Sequence, residues 1–304
     1  MCSGRALAPE LGPVRSSLTD VSELASLRIV SEAIRSLLIS VGISVLVSLV
    51  TFWGVGGLIH WWFYVRRRDQ AEQWKLQPKR FMKPQLVRHA FWLGSLNIMI
   101  GAIVGGLFSW HVVRGGWSSL YFDPLEHGLH WLVGSAIAGF FTIDAGLYYS
   151  HRFLHRKWWF RYVHRWHHRY TAPVMFTTTA VHPLEFLFFQ FFVLLPALLV
   201  PMHWAVYIVV VLYTYLIGMI DHCGIKVNWP LPLHSGNRFH DDHHVYFHCN
   251  YGHHTQIFDR LHGTVRRKGR RYGPDVFGGR GAAVEQGTGG AAEVDGPGDD
   301  EAAA

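Results

Sequence analysis

Residues 185–220 read EFLFFQFFVLLPALLVPMHWAVYIVVVLYTYLIGMI, and the only charged residue among them is Glu185 at the start. A membrane-spanning helix needs about 20 mostly apolar residues. The run is too long for one such helix and suits two short ones. Pro201-Met202-His203, with Pro196 just ahead, predicts a tight turn between them, because proline ends a helix by removing a backbone donor. A membrane hairpin is therefore expected, and it returns the chain to the side it left.

Working outward, residues 37–65 and 91–113 are also long and apolar enough to span, and 131–149 qualifies despite Asp144. The expected fold is an all-α integral membrane protein with four or five spans and a helical cap. Residues 1–36 form a polar N-terminal segment without the apolar core of a secretory signal, so the first span would direct insertion. Residues 37–272 form the membrane-embedded domain. Residues 273–304, rich in Gly, Ala and acids, are expected to be a disordered tail.

The net charge of +7 does not point to nucleic acid, because the basic residues flank spans instead of forming one patch. Loop 66–90 carries Arg66, Arg67, Arg68, Lys75, Lys79, Arg80, Lys83 and Arg88 against Asp69 and Glu72. Loop 150–184 carries Arg152, Arg156, Lys157, Arg161, Arg165 and Arg169. The positive-inside rule then places both loops in the cytosol. The basic run 266–271 suits either anionic headgroups or solvent. The three cysteines, Cys2, Cys223 and Cys249, give no even disulfide framework and fit a reducing compartment.

Beside the spans lie three histidine clusters. They are His151-Arg-Phe-Leu-His155, His164-Arg-Trp-His167-His168 and His240-Asp-Asp-His243-His244. Residues three and four apart share a helix face, so each cluster aims two or three imidazoles at one point. Imidazole suits iron, zinc, copper and nickel. These eight donors exceed the needs of one ion and suit two held close together. No HExxH zinc-protease motif, no Glu-x-x-His pair of a carboxylate-bridged site and no cysteine zinc-finger spacing is present. A metal transporter is a rival reading, but transporters hold ligands near the bilayer midplane. Here the clusters lie outside the spans.

HxxxH, HxxHH and HxxHH in this order, straddling a membrane hairpin, resemble the fatty acid hydroxylase and sterol desaturase superfamily. The resemblance covers residues from about 130 to 272 and extends between the boxes. Asp144-x-x-x-Tyr148-x-x-His151-Arg152, Val181-His182-Pro183-Leu184-Glu185 and Asp221-His222-Cys223-Gly224 resemble segments of that family. So do Asn250-Tyr251-Gly252 and Asp259-Arg260-Leu261-His262-Gly263-Thr264. Phe239, Phe258 and His262 depart from the commoner residues at their positions.

The resemblance implies a non-haem enzyme with two Fe ions, taking O2 and electrons from NAD(P)H through cytochrome b5 and its reductase. Its substrate would be a membrane lipid. A sterol comes first, by C-5 desaturation or C-4 methyl hydroxylation, with sphingolipid or fatty acyl hydroxylation as the alternative. Residence in the endoplasmic reticulum, with the site facing the cytosol, rests on the same resemblance. The implied iron ligands are the eight boxed histidines, His151, His155, His164, His167, His168, His240, His243 and His244, with His222 as a ninth. Asp144, His182, Asp241 and Asn250 are expected around them, with Asp144 and Asp241 accepting from imidazole N–H groups. His248, His253 and His254 are expected to be polar loop residues beside the site. Trp158, Trp159 and Trp166 are expected to seat the catalytic segment at headgroup level.

Overall fold

The computed structural model describes residues 16–228 and 232–284, with side chains from 23 onward. Helix α1 (Ser16–Leu49) continues as one rod through a π-helical turn (Val50–Val55), an α-helical turn (Gly56–His60) and a second π-helical turn (Trp61–Arg66). The expected span 37–65 lies inside this rod, which begins well before it. α2 (Pro84–Val113) runs back along the rod. Trp110 donates its indole N–H to Ser36 Oγ (3.1 Å), and Trp53 donates to Ser95 Oγ (3.0 Å). Gly106 lets the two backbones approach at Val41, as small residues do between apolar helices that gain little from burial against each other in lipid.

α3 (Leu129–Leu154) packs against the hairpin of α4 (Pro183–Leu199) and α5 (Trp204–Asp221). Gly139 and Gly146 on α3 admit Met202 and Phe192 at distances no Cβ could allow. Among the described residues, four helices are long and apolar enough to cross a membrane: Glu23–Arg66, Pro84–Val113, Leu129–Leu154 and Trp204–Asp221. α4 is a shorter apolar helix. The protein is an all-α membrane protein, as its sequence predicts.

The hairpin turn falls where the prolines put it. His203 caps α5 by accepting from Ala205 N–H through Nδ1 (3.3 Å). Two short strands fix the turn against the α2–α3 loop: β1 (Leu120–Tyr121) pairs in parallel with β2 (Met202–His203). Trp131 at the start of α3 donates to the Pro201 carbonyl (2.7 Å). The turn and the α2–α3 loop thus share one end of the bundle. The histidine boxes follow the other end of α3, roughly 35 Å away along a helix of this length.

At that end sits a cap with its own core. Phe52, Tyr64 and Trp74 of the first rod and its loop pack with Tyr170, Phe176, Met219 and Cys223. Tyr64 donates its hydroxyl hydrogen to the Cys223 carbonyl (2.7 Å). α6 (Gly236–Tyr246) and α7 (Ile257–His262) complete the cap. The expectation of disorder from residue 273 does not hold for 273–284. That stretch folds back, with β4 (Ala282–Ala283) antiparallel to β3 (Arg270–Arg271), and its Asp275 pairs with Arg271 just before it (2.9 Å). The rest of the expected tail, and residues 1–15, lie outside the described residues.

Candidate metal centre

The chain emerges from α3 with His151 on the helix and His155 at its C-terminal cap. A π-helical turn (Phe160–His164) and a short helical turn (Arg165–His168) carry the second box, and α6 carries the third. The nine candidate histidines gather into two adjacent groups, each with its donor atoms within 4.8 Å of one another. One holds His151, His155, His164, His168 and His243; the other holds His167, His222, His240 and His244.

The HxxHH spacing explains the division. Helical residues four apart stack on one face, whereas successive residues diverge by about 100°. His164 and His168 therefore face the first group, while His167 turns to the second. In α6 the same rule sends His240 and His244 to the second group and His243 to the first. Each HxxHH box serves both groups, which brings His168 and His244 to 5.3 Å between ring centroids.

Every one of these rings is buried. Several are fixed through Nδ1, which must be the protonated nitrogen because a carbonyl only accepts. His151 donates to the Tyr251 carbonyl (2.8 Å), His243 to Cys249 (2.6 Å) and His222 to Gly218 (2.7 Å). His164 Nδ1 meets Glu185 Oε1 at 2.6 Å, a buried pair in which the carboxylate accepts. In neutral rings the Nε2 atoms of these residues then carry bare lone pairs. Nε2 of His151 and Nε2 of His164 nonetheless face each other at 3.1 Å. Two lone pairs that close repel unless a cation lies between them.

The other nitrogens repeat the pattern. His155 Nε2, His243 Nε2, and both ring nitrogens of His168 and His244 are buried without a hydrogen-bond partner. Buried polar atoms are almost always satisfied, and orphaned lone pairs concentrated in one place fit a site for a cation. Burial, followed by the neighbouring imidazoles, pushes His155, His168 and His244 well below the usual histidine range. His222 falls to about 4, chiefly through burial. Neutral imidazoles are the form that coordinates metal. The residues present thus fit two metal ions.

The remaining expected residues take different places. Asp144 and Asp241 do not hold imidazoles. Asp144 accepts from the backbone N–H groups of His254 and Thr255 (3.3 Å each) and from the Thr255 hydroxyl (2.6 Å), pinning the loop after the third box. Asp241 Oδ1 accepts from Gln77 Nε2 (3.0 Å), because its helix position turns it toward the loop from the first rod. Asn250, at φ +54°, donates to the Phe239 carbonyl (3.0 Å) and accepts from Arg266 N–H (2.8 Å), tying α6 to the chain beyond α7. His182 lies outside both groups and caps α4 by accepting from Leu184 N–H (3.2 Å).

Two residues near the groups were not anticipated in these roles. Glu185 shares its motif with His182, yet it is the one that reaches the centre. No local spacing signals it, because its partner, His164, lies 21 residues earlier in the chain. His248 is fully buried, with Nδ1 2.9 Å from His155 Nδ1. His253 lies outside both groups but packs its ring against His151 and His240, at 4.9 and 5.7 Å. Neither Cys223 nor Cys249 joins a group, and burial pushes the Cys223 thiol up to about 12.

Residues 136–264, which contain all nine histidines, match the family model for fatty acid hydroxylase. The match is to that family's model over this stretch of the chain. A Delta(7)-sterol 5(6)-desaturase of Candida glabrata is 30% identical over 154 residues, covering 50% of this chain and 42% of the relative. Lathosterol oxidase of Homo sapiens is 29% identical over 210 residues, 66% of each chain. A very-long-chain aldehyde decarbonylase of Oryza sativa subsp. indica is 34% identical over 145 residues, covering 44% of this chain and 54% of the relative. The match thus spans about half the length of these curated relatives or less in the desaturase and the decarbonylase. No solved structure matches.

The two sides of the centre differ in character. Toward the bundle, Phe189 of α4 lies 6.3 Å from His151 and 5.8 Å from His253 between ring centroids. Away from it, a cavity of about 580 Å³ reaches His155 and Tyr251 and is bordered by Arg152, Arg156 and Lys157.

Proposed function

We propose that the two histidine groups hold two iron ions and that the protein uses O2 to oxidise an unactivated C–H bond of a membrane lipid, with a sterol as the leading substrate. The observation that carries this reading is the pair of adjacent, buried, all-imidazole groups whose protonated nitrogens are turned away and whose lone pairs converge. When bound, the ions supply what side chains lack, the reductive activation of O2. C-5 desaturation ranks ahead of C-4 methyl oxidation, because sterol 5(6)-desaturases are among the relatives. The identity to an aldehyde decarbonylase supports a second reading, an aliphatic long-chain substrate.

The side chains divide the work. The carbonyls of Tyr251, Cys249 and Gly218 and the Glu185 carboxylate hold the imidazoles in one tautomer. Such partners orient ligands and raise their basicity. Phe189 and the apolar cluster of Ile143, Leu147 and Val210 exclude water on the bundle side, from which a lipid would approach. Arg152, Arg156 and Lys157 give the opposite mouth a positive field suited to an acidic carrier such as cytochrome b5, fed by its NAD(P)H-dependent reductase. With the basic loops inside, that mouth faces the cytosol, and the membrane is that of the endoplasmic reticulum. Metal transport fits less well, because both groups sit at the ends of the spans instead of mid-span.

Lipid profiling of cells lacking the protein, complemented by the wild type or by His168→Ala, tests the reading. A sterol precursor should accumulate without the protein, clear with the wild type and persist with His168→Ala. Unchanged lipids in the deletion strain, or full rescue by His168→Ala, would refute it.

A further inference from the structure

The stretch from Gly273 to Val284 lies over His248, which adjoins His155 of the first group, as a strap. Gly279, at φ +85°, approaches Thr264 so closely that a Cβ would come within 2.5 Å of its Cγ2, and Tyr251 lies against the same point at 3.1 Å. Phe277 lays its ring on His248, with centroids 4.2 Å apart, and Phe160 covers His248 at 4.6 Å. The Pro274 carbonyl meets His248 Nε2 at 3.1 Å.

These contacts fix a chain of protons. The Pro274 carbonyl can only accept, so His248 Nε2 carries the hydrogen and His248 Nδ1 is bare. His248 Nδ1 lies 2.9 Å from His155 Nδ1, so that bond needs a hydrogen on His155. His155 Nε2 is then left with its lone pair free, and it is one of the buried nitrogens without a partner. His155 is the member of its group whose Nδ1 is met by a second histidine, where His151, His243 and His164 have a carbonyl or a carboxylate.

We infer that His248 is a positioning residue that sets the tautomer and ring angle of His155, and that the strap, through the Pro274 carbonyl and Phe277, sets His248 in turn. The inference rests on the reading that the two groups hold metal. It gives the C-terminal strap a role in metal retention at the five-histidine group, although no strap residue belongs to that group.

The test is iron binding by the full-length protein in detergent, followed by metal content, release to a chelator and the Mössbauer spectrum. His248→Asn keeps an acceptor oxygen where Nδ1 lies, whereas His248→Leu keeps bulk and removes the acceptor. His248→Leu should release one of its two irons faster, by roughly 10–100-fold as for other lost outer partners of a ligand, and should change one of two iron signals. His248→Asn should retain both irons at a release rate near that of the wild type. Equal behaviour of the two variants overturns the inference. Gly279→Val displaces the strap without touching a histidine and should also hasten release of one iron. If His248→Leu does not fold, this variant decides, and two irons held as in the wild type overturn the strap's role. A wild-type chain that binds no iron overturns the metal reading and this inference together. Wild-type binding with an unaltered His248→Leu overturns this inference alone.

Discussion

Glu185 offers the sharpest quantitative test of the centre. Its Oε1 lies 2.6 Å from His164 Nδ1, with both side chains at or below 1% exposure, and its Oε2 has no hydrogen-bond partner. Glu185→Gln keeps an acceptor oxygen and removes the charge. A hydrogen bond to a charged group contributes about 1.5–3 kcal/mol net, against about 1 kcal/mol for a neutral one. The difference, about 1 kcal/mol, should lower metal affinity at the first group about fivefold. Glu185→Ala removes the acceptor and leaves a buried imidazole N–H unsatisfied, at about 1–3 kcal/mol, or roughly 5–150-fold in affinity. That range overlaps the 10–100-fold typical of lost outer partners at metal sites. Affinity would be measured by chelator competition on protein purified in detergent, with circular dichroism to confirm retained helix. The expected order is wild type, then Gln, then Ala, with only one of two metals affected. If Glu185→Ala binds both metals as tightly as wild type, or loses both equally, the carboxylate does not act through His164 and the argument fails.

Other expectations follow from the same geometry. His168→Ala and His244→Ala should each abolish lipid oxidation and lose metal, whereas His182→Ala should retain both metals, because His182 caps α4 outside the groups; metal analysis distinguishes them. In the metal-free protein, stability should fall as pH drops. The pKa values of His222 and His248 are lowered to about 4, while in the unfolded chain they lie near 6.5, so their contribution is present above that value and is lost toward pH 4. Thermal melts of chelator-stripped protein from pH 7 to about 4 check the sign, and a melt that rises on acidification would contradict it. Asp144→Ala should loosen the loop at His254 and Thr255 and lower stability by about 1–3 kcal/mol, read by denaturant titration. A glycosylation acceptor placed in the α2–α3 loop and a tag after residue 284 should report opposite sides of the membrane.

The membrane helices were legible because lipid imposes a length and an apolarity that show in sequence. The hairpin turn was legible because Pro201 cannot continue a helix. The long first rod was less so, since a helix can extend past a bilayer without any apolar signal, and its segment before residue 37 carries Glu23, Arg28, Glu32 and Arg35. The histidine boxes were legible from spacing, but the expectation that each box aims its imidazoles at one point fails for both HxxHH boxes, whose adjacent histidines diverge into different groups. Which box faces which was not legible, because that depends on how α3, α5 and α6 meet. The same limit explains Asp144 and Asp241. An acid on the same helix as a boxed histidine is a plausible partner in sequence, yet each found a closer donor supplied by tertiary contact, Thr255 in one case and Gln77 in the other. Glu185 and His248 are the converse. Neither lies within a box, and their roles come from atoms distant in the chain, His164 for one and Pro274 with His155 for the other. Spacing along one element identifies the donors a metal centre uses. The groups that fix their tautomers come from other elements, and for His155 from a strap whose Gly-rich sequence reads as a tail.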